Sequence, residues 1–344
     1  MQIKLLDIFD DCARWDAYVE GHPKATVYHL SAWGRAVARS MGHKCYYIYV
    51  EDQGKIRGLL PLIHVKSLLF GDSLISVAFA TNGGPLFDDE KALALLDGEA
   101  GWLVKTLGVD YLECRNMVPV HDDWPTKKEM YSTFRKALSR DNEENMKAIP
   151  RKQRAMVRKG IKFGLRAVID PRPDRLFAMY SESVRNLGSP VFPRKLFYFL
   201  KEEFGDDCEI LTVETAEGAP VSSVMTFYFR NEVVPYYGGG TFEARALAAN
   251  DFMYWSLMAR GVDEKDCAIF DFGRSKNGTG AFSFKKNWGF APQPLHYEFI
   301  LPEGGEMPDI NPLNPKYQLM IKTWKKLPLP IANLVGPMIS RSLG

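Results

Sequence analysis

At 344 residues the chain exceeds one typical domain and is long enough for two hydrophobic cores, while 46% hydrophobic and 25% charged residues are ordinary proportions for a globular protein. The formal charge of +2 assigns no partner by itself, and the five cysteines, Cys12, Cys45, Cys114, Cys208 and Cys267, are odd in number and lack CxxC spacing, which excludes a disulfide framework and a zinc site. No run of about 18 apolar residues and no basic-then-apolar leader occur, so the expectation is a chain that neither spans a membrane nor is exported by that route, working in a reducing cytoplasm.

In chain order, a short opening strand precedes a helix that begins with Ser31 as N-cap and ends near Gly42. Cys45–Val50, a turn at Asp52-Gln53-Gly54, and Ile56–Val65 read as a β-hairpin. A strand over 74–79 runs into Asn82-Gly83-Gly84-Pro85, then 88–107 is helical and 109–114 is the next strand.

The same order returns after residue 200. Strands are expected over 209–214, 221–229 and 233–237, followed by a bend at Gly238-Gly239-Gly240, a helix carrying Leu247, Tyr254, Leu257 and Met258 at helical offsets, and a buried strand within 267–272. A duplicated α/β unit with a mixed sheet in each half is the economical explanation. A polar loop then begins at Gly273-Arg274-Ser275-Lys276 and closes on Phe284-Lys285-Lys286-Asn287-Trp288. A loop both basic and glycine-rich at a strand end suits an oxyanionic ligand, because backbone N–H groups approach closely and cations supply charge.

Between the halves, Pro150 opens and Gly164 closes a helix whose stripe of Arg151, Arg154, Arg158 and Lys162 has no compensating acid. It is either a solvated linker face or a track for phosphates. After a helix over 176–187 and a break at Gly188-Ser189-Pro190, the helix over 193–204 places Arg194 and Tyr198 four residues apart on one face, able to grip one ligand together. From Pro302 the tail is proline-rich, which forbids a long helix. Trp324, Leu327, Leu329, Ile331 and Leu334 beside Lys322, Lys325 and Lys326 either pack across the two domains or lie on a membrane surface.

Several catalytic classes are excluded. Asp271-Phe272-Gly273 spells a kinase triplet without a nucleotide loop or an HRD-type segment, and the glycine run fits neither GxGxxG nor a P-loop. The six histidines show neither metal spacing nor a serine or cysteine partner. Any catalysis must therefore rest on positioning and electrostatics.

Taken jointly, Tyr28-His29-Leu30-Ser31-Ala32-Trp33, the Asn82-Gly83-Gly84-Pro85 turn, Pro150-Arg151-Lys152-Gln153-Arg154, Leu187-Gly188-Ser189-Pro190-Val191-Phe192, Val234-Pro235-Tyr236-Tyr237-Gly238-Gly239 and Phe270-Asp271-Phe272-Gly273-Arg274-Ser275 with Phe284-Lys285-Lys286 carry a resemblance over nearly the whole chain. The sequence resembles the FemAB peptidyltransferase-like family of tandem GNAT-type acyltransferase domains, in particular the subgroup associated with PEP-CTERM and exopolysaccharide systems. The resemblance implies an α/β fold of two tandem GNAT-like domains, 1–145 and 146–301, followed by a tail over 302–344 packing across them. It implies acyl transfer to an amine or hydroxyl of an envelope polysaccharide or lipid-linked precursor, with Lys285 as electrostatic catalyst. Arg194, Tyr198 and Tyr237 would contact the acceptor, Arg274 and Lys286 would bind substrate, and Arg151, Arg154 and Arg158 would hold phosphates. Two donors stay open: aminoacyl-tRNA, although no long coiled-coil arm is present, and acyl-CoA, although neither half offers a clean glycine cradle. A non-catalytic binding or scaffold protein of an exopolysaccharide system is the remaining reading. No DNA partner is implied, and the expected location is the cytoplasm, with peripheral contact at the inner face of the membrane.

Overall fold

In a computed structural model, the structure describes residues 1–67, 70–308 and 315–344. The chain divides into two compact units, one of Met1–Met130, Pro294–Ile310 and Met338–Gly344, the other of Tyr131–Gln293 and Asn311–Pro337. The contact boundary thus falls at 130/131 rather than at the 145/146 expected from the linear order, and the tail is shared between the units, with its residues 309–314 outside the described ones.

In the first unit the hairpin forms as read: Lys44–Asp52 pairs antiparallel with Lys55–Ser67. Its two turn residues, Gln53 (φ 48°) and Gly54 (φ 77°), both adopt positive φ, the geometry of a tight hairpin that matches strand twist. Gln2–Leu6 lies outside Lys44–Asp52, Gly71–Ser76 inside Lys55–Ser67, and Tyr111–Asn116 runs parallel to Gly71–Ser76 after the crossover helix Glu90–Leu107. That helix is held at its start by Asp89, whose side chain accepts from the Ala92 N–H, and stopped by Gly108 in the left-handed region. Its Leu96 and Leu103 pack with Val50, Leu60, Leu62, Leu74 and Leu112, each such burial contributing about 1.5–3 kcal/mol. His296–Ile300 follows, antiparallel to Tyr111–Asn116, and the short strand Thr126–Lys127 pairs antiparallel on its far side.

Two readings in this unit are corrected. The strand expected over 74–79 stops at Ser76, because Val77 (φ 46°) and Phe79 (φ 66°) turn the chain out of the sheet. Leu30, not Ser31, is the N-cap of helix Ser31–Met41, and the Ser31 hydroxyl donates to Asp16 at 2.6 Å.

The second unit repeats the arrangement. Arg166–Asp170, Cys208–Glu214, Pro220–Phe229 and Glu232–Gly240 are successive antiparallel neighbours, Ile269–Asp271 runs parallel to the last of them after helix Ala249–Lys265, and Arg135–Ala137 closes the sheet antiparallel to Ile269–Asp271. The units therefore share one order of strand senses, four antiparallel strands, a helical crossover to a parallel fifth, and an antiparallel sixth taken from elsewhere in the chain. Mixed sheets in both halves, as expected, follow from this duplication. The crossover helix buries Phe252, Met253, Leu257 and Met258 against Val221, Val224 and Val233 of the sheet and against Phe270, Phe272 and Trp288.

The glycine run behaves differently from the bend read in the sequence. Gly238, Gly239 and Gly240 end the strand Glu232–Gly240, paired with Val224, Ser223 and Ser222. A Cβ on Gly239 would come 2.6 Å from the Met179 carbonyl oxygen and 2.9 Å from Tyr180 Cα, so glycine lets the strand press against the backbone of helix Asp174–Leu187.

Candidate functional site

The Glu232–Gly240 strand has unequal edges. On one side it pairs with Pro220–Phe229 along its length, broken by a bulge between Met225 and Thr226 opposite Pro235 and Tyr237, which makes Tyr236 the extra residue. On the other, only Glu232 and Val233 pair with Ile269 and Phe270. Beyond that point the parallel strands part, Tyr236–Gly240 continuing on one side and Phe272-Gly273-Arg274 on the other. Divergence at the carboxyl ends of parallel strands is where open α/β sheets receive ligands.

Lys285 reaches this strand end from a short helix. The loop expected to carry it is instead helical over Gly280–Asn287, capped by Thr279, whose hydroxyl oxygen accepts from the Phe282 N–H at 3.3 Å while its O–H donates to the Lys276 carbonyl at 2.7 Å. From the last turn the Lys285 ammonium donates to the carbonyls of Gly273 at 2.9 Å and Arg274 at 3.0 Å, and lies 5.4 Å from the Phe134 ring centroid and 6.0 Å from that of Phe272. Burial drives its pKa down to about 7; the Asp271 carboxylate opposes that fall and the Arg274 cation adds to it. Gly273 adopts φ 66°, and its N–H donates to Asp271 Oδ1 at 2.7 Å, so the buried acid fixes the turn that presents the carbonyls. Thr133 donates to the same oxygen at 3.2 Å, and Arg135 stands 3.6 Å from Oδ2. The Asp-Phe-Gly triplet excluded as a kinase signature is thus the anchor of this turn.

The helix under Lys285 is tied down at its end. Trp288 is fully buried among Phe272, Tyr254 and Phe284, and its indole N–H donates to Asp251 Oδ1 at 3.0 Å. Asp251 sits in the first turn of the crossover helix, where burial raises its pKa to about 6 against the pull of Trp288 and Gln153 hydrogen bonds. Gln153, in the helix Arg151–Lys162, joins the basic segment to this cluster.

A second constellation lies on helix Arg194–Phe204. As the spacing predicts, Arg194 and Tyr198 share a face, and one carboxylate occupies them both: Tyr198 donates to Asp174 Oδ1 at 2.6 Å and Arg194 pairs with the same oxygen. Arg172 Nε approaches Asp174 Oδ2 at 3.3 Å. Tyr237 is buried in an aromatic cluster with Tyr180, Phe192, Phe197 and Tyr236, ring centroids 4.6–5.8 Å away. Phe197 belongs to the helix of Arg194 and Tyr198, so that helix packs directly on Tyr237.

The other expected residues are placed as follows. Arg274 is half-buried with its guanidinium 4.5 Å from the Tyr131 ring centroid, and Lys286 is exposed, 5.7 Å from that of Phe282. Arg151 and Arg158 are exposed, and Arg154 donates to the Lys147 carbonyl at 3.0 Å. Arg194, Tyr198 and Tyr237 therefore form one neighbourhood, and Lys285, Arg274 and Asp271 another. Asp174, Asp251 and Arg172 were not singled out from sequence, and Asp271 was named there only within its motif, with no role assigned. Among the described residues no group of three or more His, Cys, Asp or Glu could hold a metal ion.

Residues 145–286 match the family model described as an acetyltransferase (GNAT) domain. The chain has the tandem GNAT fold. Similar solved structures include that of FemX, 15% identical over 93% of this chain and 100% of the other with a TM-score of 0.66. A protein described as the C-terminal domain of a lysylphosphatidylglycerol synthetase from Agrobacterium fabrum is 12% identical over 87% and 94%, with a TM-score of 0.60. A tandem GNAT protein from the clavulanic acid biosynthesis pathway is 12% identical over 87% and 97%, with a TM-score of 0.53. No curated protein matches the chain. At these identities the similarity is one of fold.

Proposed function

We propose that the chain is an acyltransferase that moves an aminoacyl or other acyl group onto an amine or hydroxyl of an envelope polysaccharide or its lipid-linked precursor. The observation that carries this reading is Lys285 at the parting of the two parallel strands of a GNAT-type domain, hydrogen-bonded to the strand-end carbonyls and with its pKa brought to about 7. The polysaccharide acceptor and the PEP-CTERM-associated setting rest on the sequence resemblance.

In the proposed reaction the acceptor nitrogen or oxygen attacks the acyl carbonyl, forming a tetrahedral oxyanion. Collapse breaks the bond to the leaving oxygen of an ester or sulfur of a thioester, and the proton of the acceptor passes to that leaving group. A protonated Lys285 in a water-poor recess stabilises the developing charge, and a near-neutral pKa lets it hand over and regain that proton. Arg194, Tyr198 and Tyr237 hold the acceptor, Arg274 and Lys286 steady anionic parts of the substrates, and Arg151, Arg154 and Arg158 meet donor phosphates.

The donor separates two forms of the proposal. If it is acyl-CoA, CoA raises the melting temperature of the protein by binding the folded state; if it is aminoacyl-tRNA, charged tRNA does so and CoA does not. The acceptor is tested by mass spectrometry of envelope polysaccharide from cells with and without the protein, expecting an acyl mass increment only with it. Identical polysaccharide in both removes the proposed acceptor. No turnover by the wild-type chain, with ligand binding lost on Arg194→Ala and kept on Lys285→Ala, favours the non-catalytic binding reading.

A further inference from the structure

The last two helices, Pro315–Trp324 and Leu329–Ser340, have an inner side that is easy to account for. Ile321 and Lys325 lie over Gly188, where an added Cβ would stand 2.5 Å from Ile321 Cγ2, and Gly336 rests on Val191 in the same way. Ala332 is buried, the Asn333 amide donates to Ser181 Oγ at 3.5 Å, and Arg185 donates to the Leu327 carbonyl at 3.4 Å. Small residues at 332 and 336, one turn apart, bring the second helix close to the segment it covers.

The outer side does not fit a surface meant for water alone. Ile331, Leu334 and Met338, spaced i, i+3, i+7, form an outward stripe with Leu334 75% and Met338 71% exposed, and the preceding helix exposes Leu319 (70%) and Met320. Leu187, next to the Gly188 on which that helix rests, is 69% exposed. Scattered apolar residues need no explanation, whereas a stripe along one helix with more on its neighbour marks a contact surface.

Charge selects among partners. From residue 311 to the end there is no Asp or Glu, while Lys316, Lys322, Lys325, Lys326 and Arg341 are all cationic. Lys322 is exposed on the helix that carries Leu319 and Met320, and Lys326 is exposed in the turn that follows it. An interface with a second copy would bring these cations onto cations, whereas a sheet of anionic headgroups over acyl chains matches both the charge and the stripe. No helix among the described residues is long and apolar enough to cross a membrane, so the stripe can only lie in the interface plane.

We propose that the outer face of helices Pro315–Trp324 and Leu329–Ser340 docks on an anionic lipid bilayer, with Leu319, Ile331, Leu334 and Met338 entering the headgroup boundary and Lys322 and Lys326 meeting lipid phosphates. This surface is independent of the acyl-transfer reading and stands or falls without it.

The test is co-sedimentation of the full chain with phosphatidylcholine vesicles, with and without phosphatidylglycerol, at low and high salt. The expected result is sedimentation with the anionic vesicles, release by salt, and little binding to the neutral ones. Leu334→Glu with Met338→Glu should leave the protein in the supernatant at an unchanged melting temperature, both side chains being exposed. If that pair proves unstable, Lys322→Glu with Lys326→Glu decides, lowering partition at least about tenfold. A wild-type chain that stays in the supernatant with anionic vesicles overturns the proposal. So does binding indifferent to phosphatidylglycerol or to these substitutions, or a lipid-free dimer that Leu334→Glu dissolves, which would assign the face to a second copy.

Discussion

Tyr198 donates its hydroxyl hydrogen to the same Asp174 oxygen that Arg194 grips, at 2.6 Å for the tyrosine, so the pair expected to hold an acceptor already holds a carboxylate of its own chain. Tyr198 and then Arg194 keep the Asp174 pKa below the usual carboxylate range, and the acid stays ionised at neutral pH. A phosphate or carboxylate ligand must displace it or share its donors. Asp174→Asn, which keeps the shape and removes the charge, is expected to strengthen binding of pyrophosphate by a few-fold, read by calorimetry at fixed salt, while Arg194→Ala weakens it. Weaker binding in Asp174→Asn would make the aspartate part of the binding surface rather than its competitor.

Asp251 offers a pH test of the support beneath Lys285. Its folded pKa of about 6 lies above the unfolded carboxyl value, so the unfolded chain ionises first as pH rises. The carboxyl therefore costs stability progressively between about pH 4 and pH 6, and the cost persists above. Asp251→Asn retains an acceptor for the Trp288 indole and removes the charge. Urea unfolding should find it level with wild type at pH 4 and more stable by on the order of 2 kcal/mol at pH 7. A variant less stable at both pH values would show that the ionised form is needed.

His121 reports on the first unit with the opposite sign. Burial alone would lower its pKa, but hydrogen bonds to Asp97 at 3.1 Å and Glu298 at 2.6 Å override this and bring it to about 9. With an unfolded pKa near 6.5, its contribution is fully present below that value and is lost as pH rises through about 9. Stability of the wild-type chain relative to His121→Gln should shrink between pH 7 and pH 10, measured by denaturant melts, and a constant difference would contradict the imidazolium clamp.

Gly239→Ala should destabilise by on the order of 2–3 kcal/mol, because its Cβ would meet backbone atoms of Met179 and Tyr180, which cannot move as a side-chain tip can. Gly280→Ala meets nothing within 4 Å at the start of its helix and should be neutral or stabilising. Equal effects in urea unfolding would remove the close-approach account of the glycine run.

The duplicated order was legible because it is written in local signals, alternating strands, the Gln53-Gly54 turn and helices ended at Gly42, Gly108 and Gly188. The i, i+4 adjacency of Arg194 and Tyr198 follows from helix geometry alone. Other features depend on pairings across long stretches of chain. Arg135–Ala137 closes the second sheet against Ile269–Asp271, and His296–Ile300 joins the first against Tyr111–Asn116, and neither short strand carries a periodic signal strong enough to announce its partner. Asp174 escaped notice because it meets Arg194 and Tyr198 only after helix Asp174–Leu187 folds back beside theirs. The helix bearing Lys285 was read as loop because Gly278, Gly280 and Ser283 have low helix propensity. The Thr279 cap and the Phe284 and Trp288 packing outweigh it.

The central claim is that Lys285 acts in acyl transfer, and the direct measurement is mass spectrometry of envelope polysaccharide from cells expressing either wild-type protein or Lys285→Ala at equal levels and with matched melting temperatures. The account predicts an acyl mass increment with the wild-type chain and its loss, at least about a hundredfold, with the alanine variant. The same increment from both would contradict it.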